Sequence, residues 1–251
     1  MSSSPALEVQ RLRYVVGGAT IIDDVSFAVA HGEMLGVIGP NGAGKTTLFN
    51  LVSGIAPLTS GRVLMDGRDV TRSSVHHRAR VGLGRTFQTS SLFPALSVRE
   101  NVRLAAQARL GGALSVLAVP RDRDEADAVA TERLRDVGLD HHAATTAGVL
   151  SHGDKRKLEV AMLLAADPAV ILLDEPMAGV ASGDVGSLTQ LIRSVHRGGR
   201  TVLMVEHHLD VLLDLVDRVA VMHHGKLLAI GTPDEVVADP AVQAAYLGEA
   251  V

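Results

Sequence analysis

The chain has 251 residues, of which 47% are hydrophobic and 21% are charged, so it is long enough for one large α/β domain but not for two. The formal net charge of −4 provides no general basic field for nucleic acid, and the lack of cysteine excludes a disulfide framework or a thiolate metal site. No apolar run is long enough to span a bilayer, and the N-terminus lacks the pattern of a signal peptide. We therefore expect a cytoplasmic protein that reaches a membrane only through a partner.

Strand patterns dominate the first third of the chain. Residues 7–16 and 20–30 are rich in β-forming residues and are separated by Gly17-Gly18, which predicts an antiparallel hairpin. The apolar run at residues 34–38 predicts a buried strand of a parallel core. Two further strands and a short helix are predicted at residues 61–67, 83–87 and 73–81.

A glycine-rich segment lies between the strand at residues 34–38 and an apolar helix pattern at residues 45–53. Its glycines allow close backbone approach, so successive N–H groups can surround an anion at the helix N-terminus. Lys45 adds a positive charge for the outer phosphates of a nucleotide, and the Thr46 hydroxyl is placed to bind Mg²⁺. This order predicts a phosphate-binding loop, here called the phosphate loop, formed by Gly39, Pro40, Asn41, Gly42, Ala43, Gly44, Lys45, Thr46 and Thr47.

Tyr14 is a candidate for contact with the base of the nucleotide. The chain contains only two Tyr, four Phe and no Trp, and Tyr14 lies on a predicted strand that can reach the nucleotide side. Its ring can stack on adenine. By position alone, a place in the core is equally open.

The middle of the chain changes to a helical and polar pattern. This predicts a mostly helical subdomain at residues 89–166, inserted into a core formed by residues 1–88 and 167–251. Within it, the apolar run at residues 110–119 favours burial over contact with a partner. The densely charged run at residues 121–130 indicates a solvated helix face.

Two apolar strands after this subdomain end in polar residues. Residues 169–173 lead to Asp174 and Glu175, at the edge where parallel sheets bind ligands. Asp174 can hold Mg²⁺ directly or through water, and Glu175 can polarise a water for attack on a γ-phosphate. Residues 201–205 end just before His207, which can donate a hydrogen bond to that phosphate or orient the base. The last predicted elements are two strands at residues 219–222 and 227–230, and a helix capped by Thr232.

A segment that opens a helix pattern, Ser151-His152-Gly153-Asp154, identifies a family when it is combined with the other motifs. With the phosphate loop, Gln88, Asp174-Glu175 and His207 in this order, the chain resembles the ATP-binding cassette (ABC) ATPases over essentially its whole length. It is most similar to the ATPase subunits of branched-chain amino acid importers. That similarity rests on Arg85-Thr86-Phe87-Gln88, Leu92-Phe93-Pro94, Leu158-Glu159-Val160-Ala161, Glu175-Pro176-Met177-Ala178-Gly179, Asp239-Pro240 and Tyr246-Leu247-Gly248.

The resemblance implies a P-loop nucleotidase core with a parallel sheet, an antiparallel β-subdomain and an inserted helical subdomain. It implies ATP and Mg²⁺ as cofactors, with Mg²⁺ near Thr46, Gln88 and Asp174. By the same resemblance Tyr14 stacks on adenine, Gln88 links the metal and the attacking water to the helical subdomain, and His207 senses the γ-phosphate beside the catalytic Glu175.

The resemblance also implies a head-to-tail dimer with a second ABC ATPase subunit, alike or different. Each ATP then lies between the phosphate loop of one subunit and the signature segment of the other, formed by Ser151, His152, Gly153 and Asp154. The dimer is expected to bind separate transmembrane permease subunits on the inner face of the cell membrane. An extracytoplasmic solute-binding protein is implied indirectly.

Two positions depart from the family pattern. Asp154 stands where these ATPases often have Gln, so it brings a carboxylate near the γ-phosphate, which the basic residues 155–157 can offset. Ala181 stands where the family usually has Asp or Asn, and Ser182 or Asp184 would need a shifted backbone to replace it.

The sequence therefore predicts an ATPase that powers the uptake of branched-chain or other hydrophobic amino acids. Urea import and lipopolysaccharide export remain open, because ATPases of both kinds share these patterns. From a different class, a soluble ABC module that acts in translation or repair also remains open, although such proteins usually carry two cassettes or a coiled-coil insertion. A P-loop kinase or GTPase would leave the signature segment without a role.

Overall fold

A computed structural model describes residues 4–86, 92–110 and 125–247. The chain divides into two compact units. The first comprises Met1–Arg85, Ala169–Glu175 and Arg193–Val251, and the second comprises Thr86–Pro168 and Pro176–Ile192. Gln88 and most of the apolar run predicted at residues 110–119 lie outside the described residues.

Strands and helices follow one another in an α/β order. The strands in the described part of the chain are β1 (Leu7–Val16), β2 (Ala19–Val29), β3 (Met34–Ile38), β4 (Ser60–Met65), β5 (Arg68–Asp69), β6 (Leu83–Arg85), β7 (Val170–Asp174), β8 (Thr201–Val205), β9 (Arg218–His223) and β10 (Lys226–Gly231). The helices there are α1 (Lys45–Ser53), α2 (Val75–Arg80), α3 (Val98–Leu110), α4 (Glu125–Asp136), α5 (His152–Ala165), α6 (Ser182–Arg197), α7 (Leu209–Leu215), α8 (Pro233–Ala238) and α9 (Pro240–Leu247).

The larger sheet of the first unit has the strand order β10-β9-β3-β8-β7-β6. Only the β10–β9 pair is antiparallel among these strands. Strands β3, β7 and β8 are buried along their whole length, as their continuous apolar sequences require. Because these three neighbours are parallel, their carboxyl ends meet at one edge, which brings the phosphate loop, Asp174-Glu175 and His207 to the same edge.

The smaller sheet has the order β2-β1-β4-β5, and all of its pairs are antiparallel. Helix α1 contributes to a hydrophobic cluster that contains residues of both sheets: Leu48, Phe49, Leu51 and Val52 with Ile22, Val25, Val37 and Val205. Full burial of each such side chain stabilises the fold by about 1.5–3 kcal/mol. The predicted fold class, α/β with a parallel sheet and an antiparallel β-subdomain, is confirmed.

The C-terminal end of α1 is capped from two directions. The helix ends at Ser53, as predicted, because Gly54 adopts a left-handed conformation with a φ angle of 78°. The buried guanidinium of Arg78 donates hydrogen bonds to the carbonyl oxygens of Leu51 (2.8 Å) and Val52 (2.5 Å). Burial lowers the pKa of Arg78 from its usual value. The positive charge of Arg78 lies at the C-terminal end of α1, where it interacts with the negative end of the helix dipole.

Two elements of the first unit are shorter than predicted. The helix predicted at residues 73–81 begins at Val75, because the Ser74 hydroxyl accepts a hydrogen bond from the His77 N–H and acts as its N-cap. The strand predicted at residues 83–87 ends at Arg85, where the chain leaves the first unit.

The second unit is built on helices α3, α4 and α5, which pack against one another. Small buried residues such as Ala106, Ala130 and Ala161 allow close approach of the helices. The amide of the buried Asn101 donates to the carbonyls of Phe93 and Ser97 and accepts from the Phe93 N–H. In the described part of the chain, no helix has both the length and the apolar character needed to cross a membrane.

Candidate active site

The phosphate loop leaves β3 and enters α1 through two glycines with positive φ angles. At Gly39 φ is 150°, and a Cβ atom there would lie 2.2 Å from the carbonyl oxygen of Met222. At Gly44 φ is 102°, and a Cβ atom there would lie 2.8 Å from Cδ1 of Ile22. Both positions favour glycine because their φ angles are positive, and at Gly39 the backbone of β9 also leaves no room for a Cβ atom.

The turn between β9 and β10 braces the phosphate loop. The Gly225 N–H donates a 3.0 Å hydrogen bond to the carbonyl of Ala43, and the Gly225 carbonyl accepts a 2.8 Å bond from the Asp23 N–H. A Cβ atom on Gly225 would lie 2.3 Å from the Ile21 carbonyl oxygen. This glycine therefore ties the loop to β2. The sequence predicts the two flanking strands but gives no sign of this brace.

The N-terminus of α1 is suited to an anion. Gly44 is its N-cap and provides no side-chain hydrogen bond, and its first turn carries no acidic residue. The first N–H groups of a helix have no acceptor within the helix, and the helix dipole adds a partial positive charge there. The Lys45 ammonium donates to the carbonyl oxygens of Gly39 and Pro40, so it lies inside the loop. A phosphate group would meet backbone donors and a full positive charge together.

A cleft of about 380 Å³ opens beside the loop. It is lined by Ile21, by loop residues from Asn41 to Thr47, and by Glu175 and His207. A larger depression of about 740 Å³ lies elsewhere on the first unit, lined by residues that include Arg13, Asp23 and Lys226. Those side chains pair with one another across it. We take the smaller cleft as the active site, because it combines phosphate donors with a carboxylate and a histidine.

Asp174 is buried at the end of β7 and pairs with a buried arginine. Nη2 of Arg85 donates a 2.8 Å hydrogen bond to Oδ2 of Asp174. Burial raises the pKa of Asp174, and the hydrogen bond and charge of Arg85 oppose that rise without cancelling it. The arginine therefore favours the ionised carboxylate that a cation requires.

Glu175 and His207 form a hydrogen-bonded pair at the cleft. Nε2 of His207 lies 2.9 Å from Oε1 of Glu175. Glu175 has a φ angle of 49°, a left-handed conformation that costs a non-glycine residue about 1–2 kcal/mol, and its N–H donates to the Val205 carbonyl. The strained backbone directs the carboxylate into the cleft while Asp174, one residue earlier, stays buried.

The carboxylate of Glu206 is hydrogen-bonded to the backbone of His207. Glu206 is buried, and its Oε2 accepts a 3.1 Å hydrogen bond from the His207 N–H. The same oxygen lies 3.4 Å from Nδ1 of His208. The sequence analysis did not single out Glu206, although a carboxylate at the end of an apolar strand was its signal for Asp174.

The oxygen atoms near the cleft suit Mg²⁺ as part of a nucleotide complex. Thr46 provides a hydroxyl on the first turn of α1 and Asp174 provides a carboxylate at the end of β7. Among the residues that the structure describes, no group of three or more His, Cys, Asp or Glu side chains forms a metal cage. Mg²⁺ keeps waters and takes further oxygens from substrate phosphates, so one or two protein oxygens suffice.

The structure brings most, but not all, predicted nucleotide contacts to the cleft. Tyr14 lies on β1 opposite Ile22, is partly buried, and packs against the hydrophobic cluster of the first unit. It is not one of the residues that line the cleft, although Ile21 is. Gln88 lies outside the described residues. The roles of both residues remain predictions.

In the second unit, the signature segment satisfies its own hydrogen-bonding groups. Ser151 is the N-cap of α5, and its hydroxyl accepts from the Asp154 N–H (3.1 Å) and donates to the Asp154 carboxylate (2.9 Å). Lys157 Nζ lies 3.5 Å from the same carboxylate. His152 is exposed, whereas Gly153 is buried. The Ser151 hydroxyl and the Asp154 carboxylate at the start of α5 therefore already have hydrogen-bond or ion-pair partners.

Asp184 lies against this segment. A Cβ atom on Gly153 would lie 2.8 Å from Oδ2 of Asp184. The Asp184 N–H donates to the Ala181 carbonyl at 2.8 Å, so Ala181 directly precedes the first turn of α6. Whether Asp184 replaces the acid missing at Ala181 remains a prediction. Its carboxylate places a second negative charge beside the signature segment.

The chain is similar in sequence and structure to known proteins. The family model for the ABC transporter matches residues 22–178, and the model for the branched-chain amino acid ATP-binding cassette transporter matches residues 226–251. The chain is 37% identical to the high-affinity branched-chain amino acid transport ATP-binding protein BraF of Pseudomonas aeruginosa, over 99% of this chain and 100% of BraF. It is 36% identical to the lipopolysaccharide export system ATP-binding protein LptB of Escherichia coli K12, over 97% of each chain. MJ1267, an ATP-binding cassette of an ABC transporter, superimposes with a TM-score of 0.86 at 30% identity, over 97% of this chain and 99% of that one.

Proposed function

This chain belongs to the ATP-binding cassette (ABC) transporter family of ATPases, and we propose that it powers the uptake of branched-chain or other hydrophobic amino acids. The similarity to BraF extends over nearly the whole of both chains, and the C-terminal residues 226–251 match the branched-chain amino acid type. The observation that carries the catalytic part is the hydrogen bond between Glu175 and His207 in the cleft of the phosphate loop.

The phosphates of ATP bind to the phosphate loop. The first-turn N–H groups of α1 and the Lys45 ammonium stabilise the negative charge that spreads over the γ-phosphate during transfer. Gly39 and Gly44 let the loop backbone approach the phosphates. Tyr14, on β1 opposite Ile22 of the strand that contributes Ile21 to the cleft, is the proposed contact for adenine.

Glu175 accepts a proton from the attacking water, and His207 holds this carboxylate and the γ-phosphate in line. A base within hydrogen-bond reach of its water contributes about 10²–10⁴-fold in rate. The Glu175 backbone is fixed by its N–H bond to Val205, so the base is aimed by the sheet and not by a mobile loop. Gln88 is proposed to contact the same water.

Thr46, Asp174 and Gln88 are the proposed protein contacts of Mg²⁺. When bound, the ion neutralises charge on the β- and γ-phosphates. This chain would supply two hard oxygen ligands, the Thr46 hydroxyl at the start of α1 and the Asp174 carboxylate at the end of β7.

The signature segment acts on the ATP of a second ABC ATPase subunit. Its residues are Ser151, His152, Gly153 and Asp154, at the N-terminus of α5. A γ-phosphate bound there would accept the hydrogen bond that the Ser151 hydroxyl otherwise donates to Asp154. ADP has no γ-phosphate and cannot make this contact. ATP thus favours the closed dimer and hydrolysis releases it.

Membrane association comes through partners. We propose that the dimer binds transmembrane permease subunits at the inner face of the cell membrane, and that a solute-binding protein on the other side delivers the amino acid. Lipopolysaccharide export is the second candidate, because LptB is 36% identical over 97% of each chain.

The catalytic proposal is tested with Glu175→Gln. The variant should bind ATP as the wild type does, lose turnover and accumulate as an ATP-bound dimer, which sedimentation velocity detects. Glu132→Gln, a change of an exposed carboxylate in α4, is the matched control and should leave turnover unchanged. Near-normal hydrolysis by Glu175→Gln would remove Glu175 as the base.

The transport proposal is tested by reconstitution with the permeases whose genes neighbour that of this chain. In proteoliposomes, binding protein loaded with leucine should stimulate ATP hydrolysis and be followed by leucine uptake. Stimulation by lipopolysaccharide, with no response to leucine, would instead favour the export function.

A further inference from the structure

Arg85 is a buried arginine that the catalytic scheme above does not use. Its side chain is 8% exposed at the end of β6, the last residue before the chain leaves the first unit. Nη1 donates to Asn50 Oδ1 (2.8 Å) and Ser53 Oγ (2.7 Å), both on α1. Nη2 donates to Asp174 Oδ2 (2.8 Å) at the end of β7. The Arg85 guanidinium therefore links β6, α1 and β7 of the first unit.

The acceptors on α1 are arranged for this guanidinium. The Ser53 hydroxyl donates its own proton to the Phe49 carbonyl at 2.7 Å, so its oxygen is free to accept from Arg85. The Phe49 ring lies 5.8 Å from Cζ of Arg85, close enough for a cation–π contribution. A planar guanidinium offers donors in fixed directions, whereas a lysine ammonium on a flexible stem does not reproduce them.

The two linked elements, α1 and β7, carry two of the three proposed Mg²⁺ ligands. Thr46 lies on the first turn of α1, and Asp174 is the last residue of β7. Because Arg85 occupies one oxygen of Asp174, it sets the direction in which the rest of the carboxylate points. Groups that hold metal ligands in place typically change metal affinity by about 10–100-fold when removed.

We propose that Arg85 is a positioning residue, which fixes the Asp174 carboxylate relative to α1 so that Asp174 and Thr46 serve the same Mg²⁺ ion. This inference rests on the proposed Mg²⁺–ATP site. It assigns to Arg85 no contact with nucleotide or water.

The test uses Arg85→Lys, which keeps the charge and loses the planar fork. Binding of the non-hydrolysable analogue AMP-PNP is measured by calorimetry in EDTA and over a series of Mg²⁺ concentrations. We expect the Mg²⁺ concentration for half-maximal enhancement of binding to rise about tenfold or more, while affinity in EDTA stays near that of the wild type.

Arg78→Lys is the matched control. Arg78 is also buried and also donates to α1, but to the carbonyls at its C-terminal end. General loosening of α1 should appear in both variants, whereas a changed Mg²⁺ requirement should appear only in Arg85→Lys. Equal Mg²⁺ shifts in the two variants, or equal losses with and without Mg²⁺ in Arg85→Lys, would overturn the inference.

A second variant covers the case in which Arg85→Lys does not fold. Asn50→Ala removes one acceptor of Arg85 and leaves its ion pair with Asp174, so it should shift the Mg²⁺ requirement in the same direction by less. No shift in Asn50→Ala would then overturn the inference. If the wild type binds AMP-PNP equally with and without Mg²⁺, the proposed Mg²⁺–ATP site itself fails, which is a separate outcome.

Discussion

Two helices of this chain begin at glycine-containing segments, and their N-termini are built in opposite ways. Helix α1 follows the phosphate loop with Gly44 as its cap, has no acid in its first turn and has Lys45 folded into the loop. Helix α5 begins within the signature segment, with Ser151 as its cap, and the Ser151 hydroxyl is hydrogen-bonded to Asp154.

The N-terminus of α1 can accept an anion directly, whereas at the N-terminus of α5 an anion would first have to replace existing contacts. At α1 the first-turn N–H groups have no acceptor within the helix and the Lys45 charge lies inside the loop, so one chain suffices to bind phosphate. At α5 a carboxylate already complements the helix dipole, worth about 0.3–1 kcal/mol, and Asp184 adds another negative charge nearby. In the proposed dimer, a phosphate would have to displace these contacts, so we expect binding there to need the additional energy of dimer assembly.

The largest effect is expected from replacing one glycine of each segment by alanine, Gly39 in the phosphate loop and Gly153 in the signature segment. Gly39→Ala places a Cβ against the rigid Met222 carbonyl at a strained φ angle, and should cost about 2 kcal/mol or more of unfolding free energy together with ATP binding. Gly153→Ala brings its Cβ closest to the Asp184 side chain, whose carboxylate can move more easily than a backbone carbonyl, and should cost less.

Urea denaturation and ATP titration of the two variants measure this contrast. Gly153→Ala combined with Asp184→Ala should recover part of what the single change loses, because it removes the two closest contacts, those with Oδ2 and Cγ of Asp184. Equal destabilisation by Gly39→Ala and Gly153→Ala would contradict the view that only the phosphate loop is held against backbone.

Removing one lysine from each helix start comes next. Lys45→Ala should weaken ATP binding by about 1.5–3 kcal/mol, since hydrogen bonds to charged groups fall in this range. Lys155→Ala, at the start of α5, should leave ATP binding to a single subunit unchanged. Equilibrium binding of ATP measures both. Unchanged affinity in Lys45→Ala would refute the assignment of the phosphate loop.

A smaller effect is expected at the start of α6, beside the signature segment. Ala181 is exposed and occupies the N-cap position, where Asp is preferred over Ala by about 0.5–2 kcal/mol. Ala181→Asp should therefore raise the melting temperature, and it should increase cooperativity in ATP if the missing acid matters across the dimer. Identical Hill slopes would limit its role to helix capping.

The smallest effect is expected from neutralising the signature segment itself. Asp154→Asn keeps the shape but removes the charge, so ATP-dependent dimerisation in the Glu175→Gln background should tighten about two- to fivefold, the equivalent of 0.3–1 kcal/mol. Sedimentation velocity measures it, with Asp136→Asn as a charge-matched control in the same unit. Weaker dimerisation in Asp154→Asn would show that Asp154 assists the site.

Features that depend on short stretches of sequence were predictable. The apolar runs of β3, β7 and β8 predicted parallel strands, and the edge rule then located the phosphate loop, Asp174-Glu175 and His207 together. Helix α1 has the predicted bounds because both of its ends carry glycine signals.

Features that depend on contacts between distant residues were not predictable. Nothing near Arg85 in the sequence indicates that its partners lie at Asn50, Ser53 and Asp174. The brace from Gly225 to Ala43 likewise joins segments whose proximity follows only from the order of the strands. Asp184 faces Gly153 through side-chain packing that a single sequence does not encode locally.

The Gly225 brace also sets when the site can form as the chain is synthesised. The phosphate loop is synthesised before Gly225 and β9, the neighbour of β3. Contacts between residues this far apart in sequence are slow to form. A nascent chain that has not yet reached Gly225 therefore carries the loop without its support.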